Sequence, residues 1–234
     1  MNWQQSCAAV IPCFNEAEHI GKLVTAVQGH LPKIVVVDDG SDDATADLAS
    51  AAGAEILRLE KNSGKGVALQ TGWNHARALG FTWALMLDGD GQHLADDIPA
   101  LLDCAERRGS PLVVGNRMND TARMPWLRRW ANRWMSRRIS KMTGVKLPDS
   151  QCGFRLVHLE TLAKLPLRAN RFEIESAMLV AFIAAGKTVE FVPVQTVYQD
   201  STSKINPVTD TWRWLCWRLA QGFFFRACKP MRVP

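Results

Sequence analysis

The chain has 234 residues, 47% hydrophobic and 22% charged, which is the composition of a globular protein and the length of one generous domain. No stretch reaches the roughly 18 uninterrupted apolar residues of a membrane span, and the first residues lack the basic and apolar parts of a signal peptide, so a cytoplasmic location is expected. The net charge of +5 is local, because residues 121–148 carry eight Arg or Lys and no acid, leaving the remainder slightly acidic.

From the start to about residue 115, short apolar runs alternate with helical patterns. Ala8 to Pro12, Lys33 to Asp38, Glu55 to Leu59, Trp83 to Asp88 and Leu112 to Gly115 predict strands. Ala17 to Val27, Asp43 to Ala52, Gly66 to Leu79 and Ile98 to Arg108 predict helices. Such alternation predicts an α/β fold with a mostly parallel, Rossmann-like sheet covered on both faces. Ligands of such sheets lie beyond the carboxyl ends of the strands, here Asn15-Glu16, Asp38-Asp39-Gly40-Ser41 and Asp88-Gly89-Asp90.

After residue 115 the alternation stops. A basic helix is expected after Pro125, then a turn at Leu147-Pro-Asp-Ser150, a strand around Cys152 to His158 and a helix from Phe172 to Ala185. A strand from Thr188 to Tyr198, a polar loop and a terminal aromatic helix complete the pattern. No repeat or linker interrupts it, so one domain over residues 1–234 is expected, with a first half at 1–117 and an elaboration at 118–234. The six cysteines form no C-x-x-C pair and are expected to be reduced and packed.

The segment Leu85-Met-Leu-Asp-Gly-Asp-Gly-Gln-His93 delivers two carboxylates, one glycine apart, to the end of an apolar strand. Hard divalent cations prefer oxygen ligands, and Asp88 and Asp90 on a turn can join one cation to a diphosphate. An Asx-rich turn is the alternative, while an EF-hand fits poorly, with Pro99 where a bidentate Glu is required. At the second strand end, Asp38 and Asp39 can accept hydrogen bonds from a base or ribose, while Ser41 or Asp42 caps the next helix. Capping and turn formation would account for Gly40, Ser41 and Asp42 without a ligand. Asn62-Ser-Gly-Lys-Gly66 opens a helix with amides and a cation suited to phosphate, although glycine follows Lys65 where a Walker loop has Ser or Thr.

In this order and spacing, the chain resembles the family-two glycosyltransferases of the GT-A fold, and within them the dolichyl-phosphate mannose synthase-like branch that charges polyprenyl phosphates. The residues carrying the resemblance are Val10-Ile-Pro-Cys-Phe-Asn-Glu16, Val37-Asp-Asp-Gly-Ser41, Asn62-Ser-Gly-Lys-Gly66 and Asp88-Gly-Asp-Gly-Gln-His93. They continue with Gly115-Asn-Arg117, Asp149-Ser-Gln-Cys-Gly-Phe-Arg155, Phe172-Glu-Ile-Glu175 and Ser203-Lys204. The resemblance implies that Pro12, Phe14, Glu16, Asp38, Asp39 and Lys65 bind the nucleotide-sugar donor together with Asp88, and that Asp88, Asp90 and Gln92 hold Mg²⁺ or Mn²⁺. It further implies that Arg117 and Arg155 face the reacting groups and, with Ser203 and Lys204, bind the acceptor. Cys13, Asn116 and Gln151-Cys152 depart from the usual pattern and bear on acceptor identity.

An inverting transfer needs a nucleophile in line, a cation on the leaving diphosphate and positive charge around the acceptor. An anionic lipid phosphate needs no strong base; a hydroxyl acceptor does, and Asp149 is the candidate, with a turn-forming Asp after Pro148 as the alternative. Pro125 to Lys141 spaces Trp126, Trp130 and Trp134 four apart beside Arg129, Arg133 and Arg137, and the segment from Trp212 to Arg226 adds three more Trp. Amphipathic helices of this kind suit a lipid headgroup boundary, a buried Trp stripe being the alternative, so peripheral membrane association is expected. Homo-oligomer contacts stay open, and nothing resembles a nucleic-acid module. The competing functions are a family-two enzyme with a soluble or carrier-bound hydroxyl acceptor and a catalytically silent membrane- or partner-binding module.

Overall fold

The computed structural model describes residues 1–197 apart from 120, 122, 123, 168, 170 and 172. A short α1 (Trp3–Ser6) leads into β1 (Cys7–Cys13), followed by α2 (Ile20–Gln28), β2 (Ile34–Asp38), α3 (Thr45–Ala51), β3 (Glu55–Arg58), α4 (Lys65–Ala78) and β4 (Trp83–Met86). Next come α5 (Ile98–Arg108), β5 (Leu112–Asn116), α6 (Trp126–Thr143), β6 (Arg155–His158), α7 (Leu159–Ala163), α8 (Ile174–Ala184) and β7 (Glu190–Pro193).

The strands form one seven-stranded sheet in the order β3-β2-β1-β4-β6-β5-β7. Every residue of β1, β2, β4 and β5 is buried, as their continuous apolar runs require when both faces are covered. Helix α4 comes so close to the sheet that a Cβ on Gly72 would stand 2.4 Å from Val10 Cγ1 and 3.0 Å from Val37 Cγ2. Pro99 in the first turn and Gly109 at φ 61° delimit α5 where the sequence pattern predicts it.

The order reverses between β2-β1 and β4, which makes the carboxyl ends of β1 and β4 the crevice where such folds bind ligands. The one antiparallel strand among the described residues, β6, takes a place in the sheet that the sequence pattern does not predict. It lies between β4 and β5, with Arg155 opposite both Met86 and Val114. Because β6 runs the other way, its first residue lies at the edge where β4 and β5 end. Residues 149–154 are thereby delivered to the crevice.

The strands expected over Cys152 to His158 and Thr188 to Tyr198 are shorter, at Arg155–His158 and Glu190–Pro193, and Tyr198 lies outside the described residues. Strand β4 ends at Met86, so Asp88 lies past the ladder; Leu87 N reaches Val10 O at 3.4 Å, and glycine follows Asp88. Helix α2 begins at Ile20 rather than Ala17, after a turn in which Ile20 N bonds Glu16 O at 3.0 Å, and the amides of Glu16 and Ala17 are taken by Thr45 Oγ1 at 2.8 Å and Asp43 Oδ2 at 3.2 Å. No helix among the described residues is long and apolar enough to cross a membrane. Cys7, Cys13 and Cys152 are buried thiols and Cys104 is half-buried, with burial pushing the Cys152 pKa up to about 12; Cys216 and Cys228 lie outside the described residues.

Candidate active site

The nucleoside side of the crevice is built from two interlocked loops. Asn15, the one described non-glycine residue with positive φ (55°), donates its amide to Ser41 Oγ at 2.9 Å and accepts from Asp42 N at 2.9 Å. Ser41 and Asp42 therefore tie the loops together instead of capping α3, whose first amide, Thr45 N, bonds Asp43 Oδ1 at 3.0 Å. Pro12 is buried in β1, and Phe14 and Glu16 are half-buried beyond it. Fully buried Asp38 accepts from Ser41 N at 2.9 Å through Oδ1. Its Oδ2 lies 3.3 Å from Arg58 Nε without a directed hydrogen bond, and so retains acceptor capacity.

Asp39 has another task. Its Oδ1 accepts from Ser63 N at 2.7 Å and its Oδ2 from Gly64 N at 2.8 Å. These amides precede α4, and the sequence pattern offers them to a phosphate; an internal carboxylate at the positive end of the helix takes them instead. Gly64, at φ 100°, turns the chain into the helix so that both amides point to Asp39.

The next residue, Lys65, points to the centre of the crevice and not to the nucleoside side. Its Nζ lies 2.6 Å from Asp88 Oδ1 and also pairs with Glu175 at the start of α8. Burial works against the Lys65 charge, but the two carboxylates outweigh it and raise its pKa. Burial likewise opposes ionisation of Asp88, and Lys65 and His93 reverse this, holding the carboxyl well below the usual range. His93 Nε2 is 3.6 Å from Asp88 Oδ2, with its ring against Phe154 at 5.2 Å between centroids. Gly153 supplies the floor: a Cβ there would stand 2.5 Å from both carboxylate oxygens of Asp88. Gly89 is equally confined, its Cβ position 2.5 Å from Cys13 Sγ.

Asp90 is half-buried, and its Oδ1 accepts from Gln92 N at 3.1 Å. Gln92 Oε1 accepts from Arg128 Nη1 of α6 at 3.2 Å, so it would share or exchange that partner on binding a cation. No three His, Cys, Asp or Glu side chains form a ready-made metal cluster among the described residues. The donor chemistry nevertheless fits Mg²⁺ or Mn²⁺, since two carboxylates and an amide oxygen are hard ligands, and the Lys65 ammonium on Asp88 already stands where positive charge is accepted. A divalent cation held by Asp88, Asp90 and Gln92 would stabilise negative charge on a departing diphosphate.

On the far side, Arg117 follows β5 and is buried against fully buried Asp149. Its Nε reaches Asp149 Oδ2 at 2.8 Å and its Nη2 reaches Oδ1 at 3.0 Å, while its backbone N also bonds Oδ2 at 3.2 Å. Burial opposes the Asp149 charge, but the Arg117 pairing prevails and its pKa is lowered. A carboxylate held in this way is a poor proton acceptor, and its evident task is to orient Arg117.

Arg155, expected at the acceptor, is in the core. Its guanidinium is fully buried and donates to Cys152 O at 2.7 Å, Glu175 O at 2.6 Å and Ser150 O at 3.0 Å. It holds the 150–152 loop to α8 and so supports both Gly153 and Glu175. Ser203, Lys204 and the terminal aromatic helix lie outside the described residues. Glu175 is a site residue to which the sequence reading assigns no role, although it ends the Phe172-Glu-Ile-Glu175 element of the resemblance and is the one acid in an otherwise uncharged run, Ile174 to Ala184.

Helix α6 flanks this side in an unusual orientation. Its buried residues are Asn132, Ser136 and Ile139, and Ser136 Oγ bonds Ser150 Oγ at 3.1 Å. Trp126 is 72% exposed, Leu127 54% and Trp130 60%, so these two tryptophans are not core residues. Trp130 stacks on half-buried Trp134, over which Arg138 lies.

Residues 8–165 match the family described as Glycosyl transferase family 2. The dodecaprenyl-phosphate galacturonate synthase of Rhizobium johnstonii is 30% identical over 93% of this chain and 66% of its own length, so the chain spans slightly less than two thirds of that relative. The UDP-N-acetylglucosamine–dolichyl-phosphate N-acetylglucosaminyltransferase of Methanococcus voltae is 29% identical over 82% of this chain and 85% of its own. Glucosyl-3-phosphoglycerate synthase of Mycobacterium tuberculosis, solved with Mn²⁺, UDP and phosphoglyceric acid, shares the fold with a TM-score of 0.74 at 17% identity, covering 98% of this chain and 81% of that one. The motifs at the carboxyl edge of the sheet and the match over residues 8–165 agree: the chain belongs to glycosyl transferase family 2 and is a glycosyltransferase of the GT-A fold.

Proposed function

We propose that the protein transfers a hexose, with inversion, from a GDP-mannose or UDP-glucose type donor to a polyprenyl- or dolichyl-type lipid phosphate at the cytoplasmic face of a membrane. The observation that carries this choice of acceptor is the buried Arg117–Asp149 pair. Asp149, the candidate base for a hydroxyl acceptor, is fully buried and its carboxylate is paired with an arginine, whereas a phosphate monoester arrives as an anion and can attack without a base. Oriented positive charge at Arg117 suits that anion. The Rhizobium and Methanococcus relatives, named for dodecaprenyl-phosphate and dolichyl-phosphate, support the same acceptor class.

On the donor side, Asp38 offers its buried Oδ2 to an N–H or hydroxyl of the nucleoside, with Pro12, Phe14 and Glu16 around it. Asp88, Asp90 and Gln92 would hold Mg²⁺ or Mn²⁺, which would offset charge on the leaving diphosphate. The exposed Trp126, Leu127 and Trp130, on a helix carrying Arg133, Arg137, Arg138 and Lys141 at its surface, rest at the headgroup level of an anionic leaflet. Isothermal titration with UDP and with GDP, each with Mn²⁺ or EDTA, tests the donor half. Binding of one nucleotide only in the presence of the cation supports the proposal; absence of binding to both favours a silent module.

A further inference from the structure

Lys65 connects carboxylates from opposite ends of the fold: Asp88 after β4 and Glu175 at the start of α8. The Asp88 carboxylate is 28% exposed and otherwise confined, with Lys65 on Oδ1, His93 near Oδ2 and Gly153 beneath both oxygens. It cannot move away from the ammonium into the floor, because that space is already filled to the limit of a glycine. A divalent cation that takes Asp88 as a ligand must therefore contend with Lys65 for the same oxygens. The ammonium, on a flexible stem, is the mobile partner, and Glu175 gives it a second carboxylate within the same buried pocket.

We propose that Lys65 and Glu175 are positioning residues for the cation site: Lys65 occupies Asp88 until a divalent cation displaces it, and Glu175 receives the displaced ammonium. This rests on Asp88 being a cation ligand, as argued above. Lys65 would offset the charge of Asp88 in the ligand-free enzyme, and would remain as a cation beside the diphosphate once donor and metal are bound. A purely structural salt bridge makes the opposite prediction, because removing it loosens the site and weakens metal binding.

The test is direct Mn²⁺ titration, without nucleotide, of the full chain and its variants. Lys65→Met is expected to bind Mn²⁺ more tightly, by about tenfold, a coupling of ordinary size for charges in contact. Lys65→Arg, which keeps the charge, is expected to stay close to the parent. Glu175→Gln, nearly isosteric, is expected to weaken binding by a similar factor, because the ammonium loses its second carboxylate. Unchanged or weaker binding in K65M, or unchanged binding in a folded E175Q, overturns the proposal. Should E175Q fail to fold, the K65M and K65R pair decides. Asp88→Asn separates the two levels: if D88N binds Mn²⁺ as the parent does, the assignment of Asp88 to the cation fails, whatever Lys65 does.

Discussion

Arg117 and Asp149 meet face to face in the interior, guanidinium on carboxylate, with Nε and Nη2 at 2.8 and 3.0 Å from the two oxygens. The arginine follows β5 and the acid precedes β6, so the pair closes the gap between two strands that run in opposite directions. Asp149 is depressed in the fold, so its stabilising effect is present above the ordinary Asp pKa near 4 and is lost as pH falls through the folded value. Asp149→Asn should therefore lower stability at pH 7 by about 3 to 5 kcal/mol, the range for breaking a buried pair, and flatten the acid limb of the Tm–pH curve. Calorimetry across pH 2 to about 7 checks this; an unchanged acid limb would mean that Asp149 does not titrate with folding.

The contact between Gly153 and Asp88 is a sharper test of site geometry. A methyl group at 2.5 Å from both oxygens must push the carboxylate aside. Gly153→Ala is expected to cut transfer at least about a hundredfold, the scale for displacing a reacting group by an ångström. Gly21→Ala, in helix α2 with its nearest neighbour at 3.7 Å, is expected to retain activity and gain up to about 1 kcal/mol. Activity and thermal melts of both variants give the comparison.

Asp39 is expected to behave as a structural residue. Replacing it by Ala leaves the amides of Ser63 and Gly64 without their carboxylate partner at the start of α4, at a cost of about 1 to 3 kcal/mol. Denaturant unfolding should register that loss. Asp38→Ala should instead weaken nucleotide binding, because Asp38 Oδ2 has no directed partner among the described residues.

The exposed face of α6 should carry vesicle binding. Neutralising Arg133, Arg137 and Arg138 removes about 1 kcal/mol of attraction each near an anionic surface, an effect that added salt should erase. Trp126→Ala with Trp130→Ala should weaken binding at every salt concentration, since buried apolar area is not screened. Sedimentation with anionic and neutral vesicles distinguishes the two contributions.

Much of this arrangement is legible in the sequence, for identifiable reasons. Buried parallel strands such as Ile34–Asp38 consist of unbroken β-branched residues up to the point where acids begin, so the residue pattern alone locates the carboxyl edge of the sheet. It does not locate the partners across that edge. Asp38 and Asp39 are neighbours of one residue type, yet one keeps an oxygen without a directed hydrogen bond and the other is occupied by a loop 24 residues away. The family resemblance implies an acceptor-side role for Arg155, but it is saturated by three carbonyls that only the tertiary fold brings together. The antiparallel insertion of β6 is likewise a matter of pairing, and its four residues carry no mark of direction.

The central claim, transfer to a lipid phosphate without a protein base, is tested most directly by incubating the enzyme with labelled UDP- and GDP-sugars and either a polyprenyl phosphate or the matching polyprenol. The account predicts an organic-soluble labelled product from the phosphate alone, abolished by EDTA. Product from the polyprenol, or from lipid-free hydroxyl acceptors in preference to the phosphate, would contradict it.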